Sequence, residues 1–128
     1  MNLALWLAAG LLAALALASG ITKTFVPKEK LAAAHSGGEW LRHASVGLVK
    51  TLGVLELLAA VGLILPAVLD IAPFMVPVTA VCWTLLMVGA MITHGRLGQF
   101  GLVMLNMVYL VVAAFIAWGR FALEPFTA

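Results

Sequence analysis

Long apolar runs alternate with short polar breaks along the chain. Four stretches, at about 2–22, 44–65, 73–94 and 99–120, are each long enough to cross roughly 30 Å of hydrocarbon as a helix. Backbone groups in lipid must be hydrogen-bonded within the segment, and the runs lack the alternation typical of membrane β-strands. The pattern predicts an all-α fold, an integral membrane four-helix bundle that forms a single domain over 1–128.

The breaks define three loops between the predicted helices. A polar stretch at about 23–43 follows the first run. Pro66 and Pro73 bracket a short second loop that contains Asp70, and Gly95 and Gly98 mark a tight third loop. Because short loops join antiparallel neighbours, the last three helices are expected to pack in chain order.

The first run has a second interpretation as a cleaved secretory signal. Ala16, Leu17 and Ala18 resemble a small-residue cleavage site. However, no Lys or Arg precedes the apolar core, and the run is longer than the core of a typical signal peptide. The sequence therefore favours a retained first helix.

Composition narrows the class of protein further. The chain is 65% hydrophobic and 9% charged, whereas an average soluble domain carries about 25% charged residues. So short a chain cannot bury that much apolar surface, and a disordered chain would be far more polar. Cys82 is the only cysteine, which excludes a disulfide scaffold and a dithiol redox centre within one chain.

The basic residues indicate orientation rather than nucleic-acid binding. The chain has seven Lys and Arg and no basic run with interleaved aromatics. Five of them, Lys23, Lys28, Lys30, Arg42 and Arg96, lie in the first and third loops, with Lys50 close by, whereas Arg120 is alone at the other side. The positive-inside rule then places loops one and three in the cytoplasm and both termini outside.

Polar residues inside the predicted spans are the candidate functional residues. Glu56 falls near the middle of the second span, where a charge costs about 2.5–3.5 kcal/mol on insertion scales. Lys23 closes the first span and His94 closes the third, on the same side of the bundle. Asn106 lies in that half of the fourth span, while the opposite half is nearly all apolar. We predict a polar intramembrane pocket around Glu56 that opens toward loops one and three, for ligand binding or proton relay.

Each of these residues also has a structural interpretation. Glu56 would then make an interhelical bond, Lys23 would be flanking charge, His94 an interfacial cap and Asn106 an interhelical hydrogen-bonding group. No metal site is predicted, because one cysteine and dispersed histidines do not form a zinc cluster. A haem held by His43 and His94 remains an alternative that nothing in their spacing requires.

The assembled motifs resemble the DoxX and DoxX-like family of small four-span membrane proteins, over nearly the whole chain. The matching segments are Ser19-Gly20-Ile21-Thr22-Lys23, Gly53-Val54-Leu55-Glu56-Leu57-Leu58 with Gly62-Leu63-Ile64-Leu65-Pro66, Pro77-Val78-Thr79-Ala80, Leu86-Met87-Val88-Gly89-Ala90-Met91-Ile92-Thr93-His94, then Asn106 and Gly119-Arg120. Each motif is weak alone, but their order and spacing together are specific. Thr24 departs from the Leu that relatives often carry after the lysine.

The resemblance implies a four-helix bundle in a bacterial or archaeal cytoplasmic membrane. The family takes its name from a membrane subunit of a thiosulfate:quinone oxidoreductase, and Lys23, Glu56, His94 and Asn106 match its polar pattern. This favours an accessory, non-catalytic subunit of a quinone-linked redox system, with quinone as ligand and an oxidoreductase chain as partner. The alternative is a structural or assembly protein without ligand chemistry. A homodimer would also fit so thin a bundle.

Overall fold

The computed structural model describes residues 1–34, 40–41 and 44–126 of the chain. The rest of the predicted polar loop, 35–39 and 42–43, lies outside the described residues, and so does His43 of the haem alternative. The helices are α1 (Asn2–Phe25), α2 (Lys28–Ala34), α3 (Val46–Val68), α4 (Met75–Arg96) and α5 (Phe100–Trp118), and a π-helical turn follows at Gly119–Leu123. Four of them are long and apolar enough to cross a membrane, which confirms the predicted all-α membrane bundle.

The first helix is longer than the apolar run predicts, and its extension carries Lys23. α1 continues to Phe25, and Val26 then takes an extended conformation (φ −88°, ψ 135°). The residue before a proline disfavours the helical region, so Pro27 rather than the first charge ends the helix. Lys23 therefore lies within α1, facing the bundle, and not in a loop.

The polar stretch after α1 contains the short helix α2. Its sequence, Lys-Glu-Lys-Leu-Ala-Ala-Ala, consists of strong helix formers, and Glu29 in the first turn favourably meets the positive end of the helix dipole. The next helix, α3, begins at a good cap, because the Ser45 hydroxyl accepts a hydrogen bond from the Leu48 backbone N–H (3.1 Å).

The four long helices form two close pairs. α1 packs along α3 and α4 along α5, whereas α3 meets α4 and α1 meets α5 over shorter contacts. Gly20 and Gly53 allow the closest approach within the first pair, since a Cβ on Gly53 would lie 2.5 Å from Thr24 Oγ1 and 2.8 Å from Thr24 N. Between the pairs, Gly62 faces Thr79 and Gly119 faces Leu5.

The hydrophobic core occupies the half of the bundle that is remote from loops one and three. Its buried residues come from all four long helices and include Leu12, Leu63, Val76, Trp83 and Ile116. The contacts that join the two pairs, at Gly62 and Gly119, belong to this half. In the other half a cavity lies between the two pairs.

Candidate functional site

A cavity of about 1000 Å³ lies between the pair α1/α3 and the pair α4/α5. Most of its lining is apolar, and Trp83 and Met87, which also belong to the core, form its deep end. Some lining residues are exposed on the outer surface, such as Leu48 (49%) and Leu85 (67%), so the cavity opens at its margins. Its polar lining residues include Lys23, Trp40, Glu56, Thr93, His94, Asn106 and Tyr109.

An ion pair joins α1 to α3 at the deep end of this cavity. Lys23 Nζ donates a hydrogen bond to Glu56 Oε1 at 2.6 Å. The Glu56 side chain is 5% exposed and that of Lys23 is 22% exposed. Lys23 Nζ also lies 5.7 Å from the centroid of the Trp40 ring, within reach of a cation–π interaction. Because α1 and α3 pack closely at Gly20 and Gly53, the register of the two helices brings Lys23 next to Glu56.

Two residues that line the cavity each carry a buried polar atom that has no hydrogen-bond partner among the described residues. The two atoms are Glu56 Oε2 and Trp83 Nε1. Leaving such a group unpaired costs about 1–3 kcal/mol, so buried polar atoms are nearly always satisfied by protein, water or ligand. Their position on a cavity large enough for a small molecule makes them candidate ligand contacts.

Trp83 is a site residue that the sequence analysis does not single out. Tryptophans near span ends are typical of the membrane interface, but Trp83 is 4% exposed and lies well inside α4. Its position in the middle of the predicted span 73–94 was the available signal, because an interfacial tryptophan belongs near an end.

His94 and Asn106 line the part of the cavity nearer to the loop-side mouth. His94 Nδ1 pairs with Gln99 Oε1 at 2.8 Å across the turn between α4 and α5, and Asn106 is half-buried on the α5 wall. His94 is eleven residues beyond Trp83 on α4, or about 16 Å along the helix axis. His94 therefore lies near the loop-side mouth, far above the Lys23–Glu56 pair.

The structure thus places all four predicted site residues on one cavity but brings only Lys23 and Glu56 into direct contact. Lys50, six residues before Glu56 on α3, is exposed and donates to the Thr24 backbone carbonyl at 2.7 Å. Ligand binding or proton relay by the four residues stays a prediction.

Arg120 forms a separate cluster at the opposite end of the bundle. Its side chain is buried (5% exposed) and donates to Asn2 Oδ1 at 2.8 Å and to the Glu124 backbone carbonyl at 3.0 Å. The guanidinium carbon lies 4.0 Å from the centroid of the Phe126 ring and 5.8 Å from that of Trp6. This residue, counted from sequence as flanking charge, ties the start of α1 to the residues that follow the π-helical turn.

Metal-ligating side chains do not cluster within the described part of the chain. Over 1–34, 40–41 and 44–126, no group of three or more His, Cys, Asp or Glu side chains could hold a metal ion.

The four spanning helices and the cavity between them define a small integral membrane protein of the four-helix class. A model of the DoxX-like family matches residues 7–116, and the chain therefore belongs to that family, as its motifs predict. No curated protein and no solved structure matches the chain.

Proposed function

We propose that this protein is an accessory membrane subunit of a quinone-linked redox system and that its cavity holds the ring of a quinone. The observation that carries the proposal is the cavity of about 1000 Å³, mostly apolar, with an ion pair and two unpaired polar atoms at its deep end. Small-molecule sites are usually clefts of about 300–1000 Å³ with a few placed polar groups. The open margins would let an apolar tail pass into the lipid.

The polar groups suit a ring that exchanges protons. A quinone carbonyl accepts hydrogen bonds, which the Trp83 indole N–H and the Lys23 ammonium can donate. Reduction adds protons, and Glu56 is the carboxyl group placed to give or take one there. His94, near the mouth, would pass protons between the cavity and the loop side.

The electrons would come from a partner chain. Cys82 is the only cysteine in the sequence and is exposed on α4, away from the cavity. We therefore assign a supporting role and propose an oxidoreductase subunit as the partner. The basic residues of loops one and three favour a cytoplasmic mouth for the cavity, so the partner would dock from the cytoplasm.

A structural role is the second candidate, and one observation favours it. The Lys23–Glu56 pair joins two helices that already pack closely, so it could serve only to hold their register. In that case replacing the pair would change stability without affecting any ligand.

Quinone binding by the purified protein tests the proposal. Ala90 lies on the cavity wall, so Ala90→Phe should fill the space and abolish binding of a short-chain benzoquinone. The matched control is Ala114→Phe, because Ala114 is exposed on α5 outside the cavity and should leave binding intact. Equal binding by both variants, or no binding by the unsubstituted protein, would contradict the proposal.

A further inference from the structure

The deep end of the cavity offers one unpaired acceptor and one unpaired donor. Glu56 Oε1 is used by Lys23, which leaves Oε2 free, and Trp83 Nε1 is buried without a partner among the described residues. A carboxylate paired with an ammonium ion can only accept hydrogen bonds, and an indole N–H can only donate one. A ligand that satisfies both atoms must itself donate and accept.

The two atoms belong to side chains at nearly the same height in the bundle. Gly62 of α3 faces Thr79 of the antiparallel helix α4. Glu56 precedes Gly62 by six residues and Trp83 follows Thr79 by four, so their heights differ by about 3 Å at 1.5 Å per residue. Both residues therefore border the cavity at nearly the same level.

We propose that this part of the cavity is a hydroxyl-binding site and that it selects the reduced form of the ligand. A hydroxyl donates its hydrogen to Glu56 Oε2 and accepts the hydrogen bond of Trp83 Nε1. A carbonyl at the same place can pair with Trp83 but leaves the carboxylate oxygen unsatisfied. Resting on the proposed quinone function, this inference predicts that the hydroquinone binds more tightly than the quinone.

The preference should be large enough to measure directly. Hydrogen bonds to charged groups are among the stronger ones in proteins, and leaving a buried partner unpaired adds to the loss. We expect the hydroquinone to bind about tenfold to a hundredfold more tightly than the quinone.

The test uses the full chain in lipid nanodiscs under anaerobic conditions. Equilibrium dialysis would measure the Kd of a decyl-substituted benzoquinone and of the corresponding hydroquinone. A redox-inert pair, a 4-alkylphenol and its methyl ether, gives a second measurement on the same protein. The phenol can donate and accept, whereas the ether can only accept, so the phenol should bind more tightly by a similar factor.

Two substitutions separate the roles of the two atoms. Glu56→Gln keeps an oxygen for Lys23 and places an amide N–H₂ donor where Oε2 lies, so the hydroquinone preference should vanish or reverse. Trp83→Phe removes a donor that serves both forms, so both should bind more weakly at a nearly unchanged ratio. The matched controls Glu124→Gln and Trp118→Phe, which lie outside the cavity, should behave like the unsubstituted protein.

The outcomes distinguish this inference from the proposed function. If both forms bind with equal Kd, or the quinone binds more tightly, the hydroxyl site is wrong while the quinone cavity stands. If Glu56→Gln keeps the full preference, Glu56 is not the acceptor and the inference is also wrong. If none of the four ligands binds, the proposed function and the hydroxyl site fail together.

Discussion

Loss of Lys23 should destabilise the protein much more than loss of the Glu56 charge. Lys23→Met leaves the Glu56 carboxyl, 5% exposed, without the ammonium that pairs with it. Removing one partner of a buried pair costs about 3–5 kcal/mol, and partial exposure of Lys23 favours the lower end, so we expect the free energy of unfolding to fall by about 3 kcal/mol.

Glu56→Gln should cost about 1 kcal/mol, since the amide oxygen still accepts from Lys23. The remaining ammonium keeps partial exposure (22%) and the Trp40 ring at 5.7 Å. The assay is reversible unfolding in mixed micelles, followed by circular dichroism. Lys50→Met is the matched control, because Lys50 is exposed and donates to a backbone carbonyl rather than to a carboxylate. This substitution should lower the free energy of unfolding by less than about 0.5 kcal/mol.

Two results would refute this reasoning. In the first, Glu56→Gln lowers the free energy of unfolding as much as Lys23→Met does. An unpaired ammonium would then be as unfavourable as an unpaired carboxylate. In the second, Lys50→Met lowers the free energy of unfolding as much as Lys23→Met does. Stability would then depend on positive charge near loop one and not on the Lys23–Glu56 ion pair. The double variant Lys23→Met/Glu56→Leu extends the test. Buried pairs replaced by apolar residues are often neutral in stability, so recovered stability with lost ligand binding would indicate that the pair serves the ligand.

Three further predictions concern other parts of the bundle. Gly53→Ala should lower the free energy of unfolding by about 1–3 kcal/mol, because the new methyl group meets the α1 backbone, whereas Gly10→Ala, with nothing within 4 Å of the new Cβ, should not destabilise in the same assay. Arg120→Met should lower the free energy of unfolding by about 2 kcal/mol, because it removes two hydrogen bonds, and Asn2→Ala by about 1 kcal/mol, because it removes one of them. Equal losses from the two variants would contradict the shared cluster. Cys82, exposed on the lipid-facing side of α4, should resist a charged maleimide in intact membranes and react after denaturation.

The helices themselves were predictable because length and hydropathy dominate their formation in lipid. Their ends were less so: α1 passes Lys23 and stops only before Pro27, and the alanine-rich helix α2 lies within a stretch that reads as polar loop. An X-Pro boundary would have been the better signal for the end of α1.

The partners of the candidate residues could not be predicted from sequence. Glu56 pairs with Lys23 rather than Lys50, because the rotation and register of α1 against α3 depend on contacts at two glycines. Similarly, the burial of Arg120 depends on how the chain returns after the π-helical turn, which is a tertiary contact with no local pattern.

Mass spectrometry of the intact complex, extracted from its native membrane in mild detergent, tests the redox-subunit role. We expect a co-purifying oxidoreductase chain or a bound quinone, with the quinone lost from Ala90→Phe and retained by Ala114→Phe. A lone chain or a homodimer that carries only bulk lipid would contradict the redox-subunit role and support a structural protein.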